Sequence, residues 1–66
     1  MKPIKIIMDF ICPNGLWHYY SYCVINLRDR LTMARLSDNN VYFYYFNNKW
    51  VPEEEILRII KLKEFL

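Results

Sequence analysis

The chain opens on an almost unbroken apolar run, Ile4 to Cys12, which stops at the breaker cluster Pro13-Asn14-Gly15. Continuous rather than alternating apolar positions suit a strand covered on both faces, so this run is expected to be the first strand. From Leu16 to about Leu36 the spacing lengthens. Leu16, Tyr20, Cys23, Leu27, Leu31 and Ala34 recur three or four apart, the period of one helix face. Pro13 and Asn14 fit a helix entry, and Arg28, Arg30 and Arg35 complement the dipole at its far end.

Ser37-Asp38-Asn39-Asn40 is a turn signal. The following Val41 to Phe46, β-branched or aromatic at every position, predicts a strand. Its two faces, Val41-Phe43-Tyr45 and Tyr42-Tyr44-Phe46, are both apolar enough to need cover. Asn47-Asn48 offers a tight turn, with Lys49-Trp50-Val51 returning as a short hairpin arm. Pro52 suits the first turn of a second helix. That helix starts acidic at Glu53, Glu54 and Glu55 and ends basic at Lys61 and Lys63. Glu54 and Arg58 form an i,i+4 pair, and Ile56, Ile59, Ile60 and Leu62 carry the buried side. The expected fold is therefore α/β: one small β-α-β-(β)-α domain over residues 1–66, with two helices and a sheet of two or three strands. If the first two strands are adjacent and parallel, the first helix should cross over right-handed.

Size makes cover a problem for such a fold. A chain of 66 residues buries only about 60% of the surface it exposes when unfolded, and domains this small lean on disulfides, metals or partners. The apolar content of 55% includes six tyrosines, and tyrosine rather than aliphatic residues is in excess. Tyrosine is enriched where a surface meets a partner. Phe, Tyr, Ile, Asn and Lys together make 29 of the residues, a bias towards A/T-rich codons that points to an A/T-rich genome of viral, phage or organellar type. The net charge of +2 does not by itself call for nucleic acid. Asp9 interrupts the N-terminal apolar run, so neither a membrane span nor a secretory signal is expected. Two cysteines fall short of a disulfide scaffold. The expected setting is intracellular, the cytoplasm of a host cell or an organelle matrix.

The sharpest local feature is Cys12 at the predicted strand-to-helix junction, where helix amides would stabilise a thiolate. Cys12-Pro13-Asn14-Gly15 resembles the Cys-Pro-x-Cys active site of thioredoxin-like oxidoreductases, and the resemblance implies a βαβ start and a reactive thiol at Cys12. It departs from that family at Gly15, where the resolving cysteine should stand. His18-x4-Cys23 resembles the tail of a retroviral-type zinc knuckle, but of the two upstream cysteines that family needs the chain has only Cys12, one place off the required spacing. On a helix, His18 and Cys23 would lie about 140° apart and could not chelate together. A Cys12–Cys23 disulfide would need the helical rise between them, roughly 13 Å, to shrink below about 7 Å. His18 with Cys12 lacks a third, orienting residue. No enzyme, metal or cofactor is expected.

The aromatic surplus points instead to a partner. A two-sided apolar strand and an apolar C-terminus leave surface that two helices cannot cover. The leading expectation is a non-enzymatic protein-binding module, either a small subunit of a larger assembly or a viral or phage factor that modulates a host protein, in a hetero-complex or homo-oligomer. Its expected anchors are Tyr42, Tyr44, Phe46, Trp50 and Phe65. The second expectation is a ribosomal-type RNA-contacting protein, with Arg28, Arg30 and Arg35 on phosphates, and the third a single-cysteine redox fragment.

Overall fold

The structure, a computed structural model, describes residues 2 to 64. Two helices enclose a run of five strands in the chain. They are α1 (Pro3–Ile11), β1 (Trp17–Tyr20), β2 (Cys23–Asn26), β3 (Thr32–Leu36), β4 (Tyr42–Phe46), β5 (Lys49–Pro52) and α2 (Glu53–Glu64). The strands form one antiparallel meander in chain order, β1-β2-β3-β4-β5. The α/β character and the two helices stand, while the sheet has five strands rather than two or three and holds no parallel pair.

The first expected strand is the helix α1. Pro3 occupies its first turn, where a missing N–H costs nothing, and Lys5 pairs with Asp9 one turn on at 2.9 Å. Ile4, Ile7, Met8 and Ile11 share one face, of which Ile7 and Met8 are fully buried, so the run is two-faced at a period near 3.6. The Cys12 N–H closes on the Met8 carbonyl, and Pro13 ends the helix.

The expected long helix from Leu16 to Leu36 is instead β1, β2 and β3. Leu16, Leu27 and Leu31, assigned to its buried stripe, are exposed, whereas Val24, between the predicted positions, is fully buried. Two turns divide the segment. Ser21 and Tyr22 link β1 to β2, with Ser21 at φ 27°. Asn26 closes the second, Leu27 to Leu31: its Oδ1 accepts from the N–H groups of Arg28 (2.8 Å) and Asp29 (3.2 Å). Its carbonyl accepts from Arg30, which sits at φ 60°. Such side-chain-to-backbone bonds compete directly with helix.

The C-terminal half follows its pattern closely. The Ser37–Asn40 turn is held by Ser37 Oγ accepting from the Val41 N–H. Asn47 and Asn48, at φ 51° and 63°, make the two-residue turn that matches strand twist. Pro52 ends β5, one residue ahead of α2, and Leu62, expected on the buried side of α2, is exposed. Glu54 and Arg58 pair at 3.3 Å.

Both helices lie on one face of the sheet. Ile7, Met8, Ile56 and Ile60 meet Val24, Ala34, Tyr44 and Val51 there, and Phe10 packs on Phe46 at 5.6 Å between ring centres. Among the described residues no helix lies over the other face. Among the described residues no helix is long and apolar enough to cross a membrane.

Candidate functional site

Strand alternation and cross-strand register assign the uncovered face. On the helix side, Val24, Ala34, Tyr44 and Val51 lie opposite one another along a buried row. Their alternates therefore point away from the helices. In one row on that open face, Tyr20 pairs with Cys23, Cys23 with Arg35, and Arg35 with Phe43. In the next, His18 pairs with Ile25 on one side of the sheet and Tyr45 with Trp50 on the other.

A connected cluster occupies the β3-β4-β5 side of this face. The Arg35 guanidinium lies 4.6 Å from the centre of the Trp50 ring, reaching diagonally across β4. Trp50 in turn contacts Tyr45 at 5.3 Å between ring centres. Phe43, Tyr45 and Trp50 are half-buried, while Arg35 is exposed. A shallow open depression of about 450 Å³ runs from Phe43 and Trp50 past Arg35 to Ser37 and Asp38. On the β1 side, His18 stands edge-on to Tyr20 at 4.6 Å. Among the described strand positions of this face, Arg35 is the one permanent charge and no carboxylate appears. Arg35 forms no ion pair among the described residues.

The expected anchors do not share one surface. Trp50 is on the open face. Tyr44 is fully buried in the core, where its hydroxyl donates to Glu53 Oε1 at 2.7 Å, so it is not available to a partner. Burial, then the bond to Glu53 and its negative charge, hold the Tyr44 phenol well above its usual range. Phe46 packs under α1 against Phe10. Tyr42 also faces the helix side, where its hydroxyl is 2.8 Å from that of Tyr19. Tyr19 donates its own proton to the Ser21 carbonyl at 2.6 Å, which leaves Tyr42 as donor between the two rings. Desolvation first, and this bond second, push the Tyr42 pKa up to about 12. Phe65 lies outside the described residues.

Phe43 and Tyr45 were missed as surface residues, and a signal for them exists in the sequence. A two-residue turn at Asn47-Asn48 places Phe46 opposite Lys49 and therefore Tyr45 opposite Trp50. Grouping Trp50 with Tyr44 and Phe46 mixed the two faces.

The three arginines are also separated. Arg35 lies on the open face, whereas Arg28 and Arg30 sit in the β2–β3 turn at the other end of the strands. Cys23, beside Arg35, is five positions before Arg28, roughly 17 Å of extended chain.

Cys12 sits at the C-terminal end of α1, not at a helix N-terminus, so the amide field invoked for its thiolate is absent. Its thiol is buried, donates to Asn14 Oδ1 at 3.0 Å and lies 3.8 Å from Asn26 Nδ2. Cys23 is on the opposite face of the sheet, and both cysteines are free. The helical rise used against a disulfide does not exist; the sheet between the two residues is what separates them. His18 and Cys23, which a helix would hold apart, are diagonal neighbours on the open face. No family model, curated protein or solved structure matches the chain.

Proposed function

We propose that this protein is a non-enzymatic binding module that docks on another protein through the helix-free face of its sheet. The observation that carries the reading is the uncovered Arg35–Trp50–Tyr45 cluster with Phe43 beside it. Trp, Tyr and Arg dominate binding hot spots because they combine large rigid area with a polar or charged edge. An Arg stacked on Trp is already ordered, so less entropy is lost when it binds. The partner surface that fits is an apolar patch flanked by a carboxylate that meets the unpaired Arg35. This role suits a small subunit of a larger assembly or a viral or phage factor acting on a host protein.

Aromatic side chains on an open sheet also stack bases, but such sites line the backbone track with several cations. Here one cation lies among the aromatics, and Arg28 and Arg30 are at the far end of the strands. Protein is therefore the favoured partner.

A photoreactive phenylalanine analogue at position 45 tests this, with the same probe at Tyr22 as control, since Tyr22 is 70% exposed in the β1–β2 turn. The expected result is one defined protein adduct from position 45, none from position 22, and loss of that adduct in Trp50→Ala. An adduct that is nuclease-sensitive and vanishes steeply with salt would replace this reading with RNA binding.

A further inference from the structure

The two edges of the sheet are built differently. Across β1 and β2, the Leu27 N–H donates to the Leu16 carbonyl at 2.8 Å, and Tyr20 and Cys23 close the hairpin. Leu16, His18 and Tyr20 therefore direct their backbone groups at β2, and Trp17 and Tyr19 direct theirs outward, two donors and two acceptors along the free edge. On β5 the same counting turns Trp50 and Pro52 outward. Pro52 has no N–H to offer, and Lys49 adds a charge at the other end of that strand, two standard ways of blunting an edge. β1, Trp-His-Tyr-Tyr, has no proline and no Lys, Arg, Asp or Glu, and its pairing with β2 is regular, without a bulge.

We infer that β1 is a pairing edge and that its occupant is β1 of a second copy, antiparallel about a twofold axis through His18, giving a continuous ten-stranded sheet. Only a register with like faces together keeps the open face continuous, and one such register uses every outward group of β1. It sets Trp17 opposite Tyr19 of the second copy, and Tyr19 opposite Trp17, with four N–H to carbonyl bonds between them. The two His18 side chains then meet at the axis in a non-hydrogen-bonded pair, Cα atoms about 4.5 Å apart, beside Tyr20 and Ile25 on the open face.

The helix side of the same edge supplies a second reason. Trp17 and Tyr19 line a mostly apolar groove of about 440 Å³ together with Pro3, Ile4 and Tyr42, with Lys2 and Glu53 as its charged lining residues. In the paired edge, Trp17 of the second copy lies against Tyr19 and closes the flank of that groove. This contact goes beyond the proposed docking face, whose Arg35–Trp50 cluster lies on the β3-to-β5 side of the sheet and stays free in the dimer.

A charge swap at the axis tests the register. His18 is exposed, so His18→Lys and His18→Asp are compatible with the fold, which an amide NMR spectrum checks. Sedimentation equilibrium of the full chain, up to about 1 mM, should show a weak dimer of twice the 8.2 kDa chain mass. Each variant alone should sediment as a monomer, because two like charges then face each other across the axis. An equal mixture of the two should recover a one-to-one dimer. In the wild-type dimer the Trp17 and Tyr19 amides should exchange at least about tenfold more slowly than in dilute monomer. A wild-type chain monomeric up to that concentration would overturn the inference, as would a dimer that persists in His18→Lys, or a mixture that fails to associate. The exchange of those two amides decides the question without any variant.

Discussion

The hydroxyl of Tyr44, in the middle of β4, donates to the carboxylate of Glu53, the first residue of α2, at 2.7 Å. This bond ties the buried row of β4 to the start of a helix whose N-terminus already favours negative charge. It also satisfies the one polar atom of a side chain that is otherwise a core aromatic.

Removing only that hydroxyl isolates the bond. Tyr44→Phe should lower stability by about 1.5 kcal/mol, the low end for a hydrogen bond to a charged group, because the part-exposed Glu53 regains water. Tyr44→Ala should cost about 3–5 kcal/mol through the cavity it leaves. Urea unfolding followed by circular dichroism separates the two. Equal losses would mean that the hydroxyl, not the ring, holds this position.

Alkaline pH should act through Tyr42 and Tyr44. Both phenols are raised above their ordinary value near 10, Tyr42 to about 12, chiefly by desolvation. A phenol whose folded pKa exceeds its unfolded one keeps its proton longer in the folded state. Its stabilising contribution is complete below about pH 10 and is lost as pH rises through 12. The urea midpoint should therefore be flat from pH 8 to 10 and fall above it, and Tyr42→Phe should make that fall shallower. An unchanged midpoint at pH 11.5 would show that neither phenol is shifted.

Arg35 and Trp50 should be coupled in the free protein. Their contact at 4.6 Å is a cation–π pair at a part-exposed site, worth about 0.5–1 kcal/mol. A double-mutant cycle of Arg35→Ala and Trp50→Ala in urea unfolding reads this coupling directly. Additive losses would mean that the guanidinium does not hold the ring, and with it would go the pre-ordering argued for the docking face.

Thiol labelling should distinguish the two faces. Cys23, part-exposed on the open face, should react with a neutral alkylating reagent in the folded state, and Cys12 only after unfolding. Mass spectrometry of peptides after timed labelling gives the order. Fast modification of Cys12 in folded protein would favour the redox reading, even though Cys12 lies at the C-terminal end of α1 rather than at a helix N-terminus.

Legibility differed between the halves of the chain for a local reason. From Ser37 onward each element is announced by chemistry that acts over a few residues. The Ser37–Asn40 turn, the aromatic strand, the Asn47-Asn48 turn and the acidic-to-basic order of α2 all appear where their residues predict them. Before Ser37 the same local rules were available but outweighed by spacing. Pro3 with Ile4, Ile7, Met8 and Ile11 has the signature of a helix, yet the apolar run reads as a buried strand when its length is taken alone. Leu16, Leu27 and Leu31 recur at helical intervals but are exposed, because Ser21 and Asn26 bond or bend the backbone into turns between them.

The candidate site shows the same division. That the chain carries more tyrosine and aromatic surface than a small core needs is a property of its composition, and so is the placement of Trp50 opposite Tyr45 once the two-residue turn is granted. Which face of β4 the helices cover is not. Tyr42-Tyr44-Phe46 and Phe43-Tyr45 are nearly equal in hydrophobicity, so burial energy along the strand cannot choose between them. The choice is made across the sheet. Ala34 and Val51 flank Tyr44 on the helix side and leave room for α1 and α2, whereas Arg35 and Trp50 stand beside Phe43 and Tyr45 on the other. The turns, the strand alternation and the polarity of α2 were thus determined by the sequence through bonds and dihedral preferences within a few residues. The open aromatic face and the free β1 edge were decided only by tertiary structure, because each depends on which distant residues the meander brings side by side.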